Sequence, residues 1–145
     1  MIFVTVGTTA FEGLIRAADE LGVVEEVVVQ KADGGYSPSN CEYFDYTDSF
    51  DQYVDTAEIV VTHGGAGTLL QLIGAGKRVV GVANDERDDL HQADLLGKLS
   101  DDGYIIWCRE LAGLAESIQA ARGYRFAKYT KPQCDIAKEI ARDFG

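Results

Sequence analysis

Basic residues are scarce in this chain: 13 lysines and arginines stand against 24 aspartates and glutamates, for a formal net charge of −11. Nucleic-acid binding draws its affinity from a basic face that releases counterions, so that class of partner is excluded. The acidic surface reads instead as solvation. Long apolar runs are missing as well. The opening Met-Ile-Phe-Val-Thr-Val has no basic flank and is too short for a secretory core or a membrane span. The three cysteines, Cys41, Cys108 and Cys134, lie far apart with no C-x-x-C pair, as expected of reduced, mostly buried thiols in a cytosolic protein. With two prolines and no low-complexity tract, repeat or linker, nothing divides the sequence. Two nucleotide signatures are also absent. There is no G-x-x-x-x-G-K-[ST], which disfavours a P-loop nucleotidase, and no G-x-G-x-x-G after the first strand, which disfavours a dinucleotide oxidoreductase.

What is present describes one domain over residues 1–145, with 46% hydrophobic residues and 16 glycines that sit mostly at the ends of apolar runs. Ile2 to Val6 reads as a buried strand, followed by Gly7-Thr8-Thr9 and a helix carrying Phe11, Leu14, Ile15, Ala18 and Leu21, closed at Gly22. Strands are expected over Val23 to Val29, Cys41 to Phe44, Glu58 to Thr62, Lys77 to Ala83 and Tyr104 to Cys108. Helical spacing recurs at Phe50 to Ala57, after Gly67 to a glycine ending at Gly74-Ala75-Gly76, from His91 to Leu99, over Glu110 to Ala121, and from Pro132 to Phe144. Alternating strands and helices imply an α/β fold, a Rossmann-like parallel sheet with helices on both faces. Ligands of such folds lie at the carboxyl ends of the strands.

The stretch Val60-Val61-Thr62-His63-Gly64-Gly65-Ala66-Gly67-Thr68 is a strand, a glycine turn and a helix start. Glycine lets backbone approach a ligand closely, and the first amides of a helix lack intrahelical partners, so such a junction can hold a diphosphate. It can equally be a packing turn. Two further polar segments fall at strand ends, Gly7-Thr8-Thr9 and Asn84 to Gln92, and their convergence favours the anion site. Thr8 and Thr9 are suited to capping the first helix and to contacting an anion. Asp85, Glu86, Asp88 and Asp89 cluster in one loop, where solvation is the expected role and a metal site the alternative.

The Val4-Thr5-Val6-Gly7-Thr8-Thr9 opening, the Thr62–Thr68 turn, the Gly76-Lys77-Arg78-Val79-Val80 strand entry and the Asn84…His91-Gln92 segment resemble, in order and spacing, the C-terminal domain of glycosyltransferase family 28. The resemblance extends to small half-enzymes in which that domain is a separate chain. It implies the C-terminal half of a GT-B fold and a UDP-sugar donor carrying N-acetylglucosamine or a related hexose or uronate. Its diphosphate would lie on Gly64, Gly65, Ala66, Gly67 and Thr68, with Gly7, Thr8 and Thr9 nearby, and Gln92 and His91 would bond the sugar. Several relatives hold the ribose hydroxyls with a glutamate at the position of Gln71, where an amide lacks the charge-assisted acceptor. The base pocket is expected around Phe50. His63 is assigned a structural or phosphate-binding role ahead of that of general base.

Inverting sugar transfer needs a base on the acceptor hydroxyl and positive potential at the departing diphosphate, and only the second is visible in this chain. The resemblance therefore implies a partner: a membrane-anchored acceptor-domain subunit that brings a lipid-linked glycan acceptor and recruits this cytoplasmic chain to the membrane face. No cofactor or divalent metal is required by the sequence. The final helix could dock on that partner or fold back on its own sheet. A non-catalytic nucleotide-sugar-binding module of the same fold is the alternative reading, while a self-sufficient phosphatase or mutase is disfavoured for want of a nucleophile-plus-base arrangement.

Overall fold

Short β-branched runs buried on both faces build the centre of the molecule. In this computed structural model, residues 1–6, 11–32, 35–63, 66–83 and 90–128 are described, residues 90–92 by their backbone alone. Six strands, β1 (Ile2–Thr5), β2 (Val27–Gln30), β3 (Glu42–Phe44), β4 (Ile59–His63), β5 (Arg78–Val82) and β6 (Ile106–Cys108), form one sheet in the order β3-β2-β1-β4-β5-β6. Every pairing is parallel. The helices are α1 (Glu12–Leu21), α2 (Phe50–Thr56), α3 (Ala66–Gly74), α4 (Leu90–Asp101) and α5 (Leu114–Gly123), the last entered through a 3-10 turn at Leu111–Gly113.

Alternation along each strand divides the core into two layers. Ile2, Val4, Val27, Val29, Ile59, Val61, Val80 and Val82 meet α1 and α5 through Leu14, Ile15, Ala18, Leu114 and Ile118. Phe3, Val28, Val60 and Val79 meet α2, α3 and α4 through Val54, Leu69, Leu72, Leu95, Leu96 and Leu99. Both faces are thus covered, as a parallel sheet requires. The Rossmann-like expectation is met.

Several boundaries differ from the sequence reading. Val23 and Val24 do not begin a strand: they lie in a turn after α1 and are 69% and 80% exposed, and β2 starts only at Val27. The helix end dictates this, because Val23, Val24 and Glu25 donate back to the carbonyls of Glu20 and Leu21 and so cannot enter the sheet ladder. Neither Thr8 nor Thr9 is the N-cap of α1, which begins at Glu12 with Phe11 in the cap position. Leu111–Gly113 is a 3-10 turn, so the α-helix expected from Glu110 begins only at Leu114, and β6 begins at Ile106 rather than Tyr104. The glycine ending of α3 is as expected: Gly76 takes φ +74°, a left-handed conformation that terminates helices. The segment Pro132 to Phe144, Cys134 and the acidic loop 84–89 lie outside the described residues. Of the other cysteines, Cys108 is buried and Cys41 half-buried. Burial, and then the neighbouring Asp19 charge, push the Cys41 thiol up to about 11, so it is inert at neutral pH.

One buried carboxylate fixes the end of α1. Asp19 accepts from Tyr36 Oη at 2.6 Å and from the backbone N–H groups of Ser39 at 2.9 Å and Asn40 at 2.7 Å. The packing beside it is close: a Cβ on Gly22 would lie 2.5 Å from the Asn40 carbonyl oxygen. These bonds, led by that from Tyr36, hold the Asp19 carboxyl below its ordinary value of 3.8. A depressed native pKa stabilises the fold in full above the ordinary carboxylate range and ceases to do so as pH falls through the native value. Asp19→Ala is therefore expected to cost roughly 2–3 kcal/mol near neutral pH, because the Tyr36 hydroxyl and two backbone N–H groups lose a charged acceptor. The cost should shrink at about pH 3, and urea unfolding at both pH values checks this.

Candidate functional site

The strand order changes direction at β1. The chain runs outward from β1 to β2 and β3, then crosses back to lay β4 on the other side of β1. The carboxyl ends of β1 and β4 are therefore the switch point of the sheet, the place where such folds open a crevice. Thr5 and Thr62 face each other in register there, on strands about 4.8 Å apart. The two glycine-bearing junctions predicted from sequence leave from these neighbouring ends, and β5, paired to β4, ends beside them. The fold thus brings three distant segments to one edge.

The last layer of the sheet before that edge is polar. Gln30, Thr5 and Thr62 lie side by side across β2, β1 and β4 and are 8%, 0% and 0% exposed. The buried Thr62 hydroxyl has no hydrogen-bond partner among the described residues. Apolar residues fill the layers below, so the polarity marks the edge where the sheet meets water or ligand.

From β4 the chain passes His63, half-buried at the strand end, and enters α3 at Ala66. Ala66 and Thr68 are half-buried and Gly67 is exposed, with open space where its side chain would be. None of the first-turn residues of α3 is acidic. The first turn of α1, by contrast, carries Glu12, which pairs with Arg16 at 3.0 Å. The positive end of the α3 dipole therefore meets no competing carboxylate of its own helix, and it is the better anion-binding terminus of the two. Gln71 follows Thr68 by three residues, on the same side of α3, and is exposed.

Of the predicted site residues, His63, Ala66, Gly67, Thr68 and Gln71 are thus gathered at this edge. The backbones of His91 and Gln92 lie in the first turn of α4, which follows β5 at the same edge. Gly7, Thr8, Thr9, Gly64 and Gly65 lie outside the described residues. Phe50 begins α2 at the same edge, but its half-buried ring packs edge-on against Phe3 with centroids 5.7 Å apart. The ring is thus committed to the core, which leaves the rim and the start of α2 to a ligand.

Sequence reasoning missed Asp51. This exposed residue in the first turn of α2 accepts a hydrogen bond from Gln71 Nε2 at 3.3 Å, joining α2 to α3 beside the glycine turn. No periodicity reports such a pairing across 20 positions. A cleft of about 340 Å³ lined by Gly76, Lys77, Tyr104, Phe126 and Lys128 opens instead at the amino edge of the sheet. Its lining contains none of the predicted residues. Among the described residues no three His, Cys, Asp or Glu side chains come together as a metal site, and no helix is long and apolar enough to cross a membrane.

Sheet order and layered core together define a Rossmann-like α/β domain, a fold whose ligands characteristically sit at the carboxyl ends of the strands. The chain belongs to the family described as the glycosyltransferase family 28 C-terminal domain, whose model matches residues 1–143. It is similar to the UDP-N-acetylglucosamine transferase subunit ALG13 of Homo sapiens, with 33% identity over 141 residues. That match takes in 84% of this chain but spans only 12% of the length of the human protein. The NMR solution structure of ALG13 has a TM-score of 0.69 with 17% identity, covering 99% of this chain and 96% of that one. The crystal structure of Acinetobacter baumannii MurG has a TM-score of 0.61 with 15% identity, covering 98% of this chain and 52% of that one. At these identities the structural likeness speaks to the fold, the C-terminal half of a GT-B architecture.

Proposed function

We infer that this chain is the donor-binding subunit of a two-subunit inverting glycosyltransferase, which moves N-acetylglucosamine or a related sugar from a UDP-sugar to a lipid-linked or glycan acceptor. One observation carries the reading. Two glycine-bearing strand-to-helix junctions leave neighbouring strand ends at the switch point, and the helix of the second begins without an acidic residue. A diphosphate there meets the unsatisfied N–H groups and positive dipole end of α3, with the Thr68 hydroxyl beside them. The same groups stabilise the diphosphate as it departs with the negative charge of the broken glycosidic bond, which lowers the barrier to transfer. The first turn of α4, with His91 and Gln92, is the neighbouring wall and takes the sugar in this reading.

The name of the human relative, a UDP-N-acetylglucosamine transferase subunit, supports both the choice of sugar and a partner chain. The partner supplies the acceptor site, the base that deprotonates the acceptor hydroxyl, and attachment to the cytoplasmic face of a membrane. Calorimetry with UDP, UDP-N-acetylglucosamine, UDP-glucose, UDP-glucuronate and GDP-mannose, on the chain alone and with its co-expressed partner, tests this. Binding of UDP and one UDP-sugar, with transfer only in the presence of the partner, is expected. Sugar-nucleotide binding without transfer in the complex would favour a non-catalytic binding module.

A further inference from the structure

Val23 and Val24 are the only exposed side chains among the described valines, leucines, isoleucines, methionines and phenylalanines. They stand side by side in the turn from α1 to β2, at the amino edge of the sheet, where turn chemistry favours glycine, asparagine, aspartate or serine. Two β-branched residues there do nothing for the turn and leave apolar surface in water. Val24 also lines a groove of about 200 Å³ between α1 and the 3-10 entry to α5, together with Ala17, Leu21, Leu111, Leu114 and Ala115. The groove has room for one large aliphatic or aromatic side chain. A single exposed valine is ordinary, but an adjacent pair continuous with an apolar groove marks an interaction surface.

The charge around the groove says what covers it. From Ala17 to Gln30 the chain carries Asp19, Glu20, Glu25 and Glu26 and no lysine, arginine or histidine. Glu20 lines the groove, and Glu116 follows Ala115 on the opposite wall. Glu20, Glu26 and Glu116 are exposed and form no ion pair among the described residues. The nearest cations are committed elsewhere. Arg16, one turn before Glu20, pairs with Glu12 and lies 4.2 Å over the Tyr36 ring, while Arg122 is held by Glu25 at 2.6 Å and Glu58 at 2.7 Å. The potential over the groove is therefore negative, on a chain of net charge −11. A second copy and an anionic lipid surface are both repelled from it, and a basic partner is attracted.

We propose that this groove docks a segment of a partner protein in which an aliphatic or aromatic anchor is flanked by lysine or arginine. The anchor fills the groove against Leu21 and Val24, and the flanking cations face Glu20, Glu26 and Glu116. Docking takes place at the amino edge of the sheet, away from the carboxyl edge, and stands independently of the donor-site reading. In the test, short random peptides displayed on phage are selected on the full-length chain. The enriched sequences, as labelled synthetic peptides, are then titrated against wild type, Val24→Ser, Glu20→Lys and Asp55→Lys. Val24 and Glu20 are exposed, so their variants keep the fold, and Asp55, an exposed acid on α2, controls for net charge. Enriched sequences are expected to place lysine or arginine within a few positions of an apolar anchor and to bind more weakly as salt is raised. Val24→Ser should weaken them roughly 10-fold and Glu20→Lys about 5-fold, with Asp55→Lys close to wild type. UDP affinity should be the same in Val24→Ser as in wild type. No enrichment, enriched sequences without basic residues, or equal affinity for wild type and Val24→Ser would overturn the proposal. So would a Val24-dependent dimer in sedimentation, Val24-dependent binding to phosphatidylcholine–phosphatidylserine vesicles, or displacement of the selected peptides by a synthetic peptide of residues 129–145. These would assign the groove to a second copy, a membrane or the end of the same chain.

Discussion

Gly67→Asp is expected to weaken UDP binding about 100-fold or more while leaving the protein as stable as before or slightly more so. The second half of that expectation comes from the structure of α3. A Cβ at Gly67 would meet nothing within 4 Å, the position is exposed, and its backbone is helical. Replacing a helical glycine removes a propensity penalty of about 0.5–1 kcal/mol, and an acid in the first turn interacts favourably with the helix dipole. The first half comes from Coulomb's law. A carboxylate about 5 Å from a diphosphate in surroundings of effective dielectric near 20 is repelled by roughly 3 kcal/mol per unit of charge. The same dipole end that welcomes the new carboxylate is then no longer available to the ligand. Thermal unfolding and UDP titration on one sample separate the two effects, and loss of binding together with loss of fold would argue against this account of the turn.

Phe3→Ala is expected to be the most damaging single change to stability, at about 3–5 kcal/mol. Phe3 is completely buried at the centre of β1, with Tyr53 stacked at 5.4 Å, Phe50 edge-on at 5.7 Å and Phe44 at 6.4 Å. Truncation removes the ring that three other aromatics rest on, and a lattice of this kind collapses only partly into the void. Against a typical total of about 5–15 kcal/mol the loss is a large fraction, and the midpoint of thermal unfolding should fall by roughly 10 °C. The change reaches the site because α2 sits on this cluster: with Phe50 and Tyr53 unsupported, Asp51 loses its place opposite Gln71. Phe3→Leu, which keeps much of the volume, should lose about half as much or less. A Phe3→Ala variant within about 1 kcal/mol of wild type would show that the cluster does not hold α2.

The parts of this architecture that were legible beforehand share a physical cause. A strand buried on both faces must be apolar without interruption, so Ile59 to Thr62 and Val79 to Val82 declared themselves, and the 3.6-residue spacing of Leu14, Ile15, Ala18 and Leu21 marked α1. The junction after β4 was legible because a glycine cluster stands between an uninterrupted apolar run and the first residues at helical spacing. Val23 and Val24 misled for the same reason that the strands were clear. They look like strand residues, and only the hydrogen bonds that close α1 keep them in a turn.

Contacts between distant segments left no trace in periodicity. Asp19 lies on the buried side of α1, where an acid looks like a lapse in the apolar stripe, and its purpose appears only when Tyr36, Ser39 and Asn40 fold over it. Asp51 sits among Asp45, Asp48 and Asp55 in an acidic stretch, and nothing in the sequence separates the one that meets Gln71 from its neighbours. The order of the strands is another such feature. Adjacency of the β1 and β4 ends turns two ordinary glycine junctions into one site, and it depends on a crossover that a linear pattern does not encode.

The most direct test of that site is to map, by amide chemical shifts of the isotope-labelled chain, where UDP-N-acetylglucosamine binds. Shifts are predicted to concentrate at Thr5 and Val6, His63 to Gln71, Asp51 and the first turn of α4, all at the carboxyl edge of the sheet. Shifts confined to Lys77, Tyr104 and Phe126 at the amino edge would contradict the account.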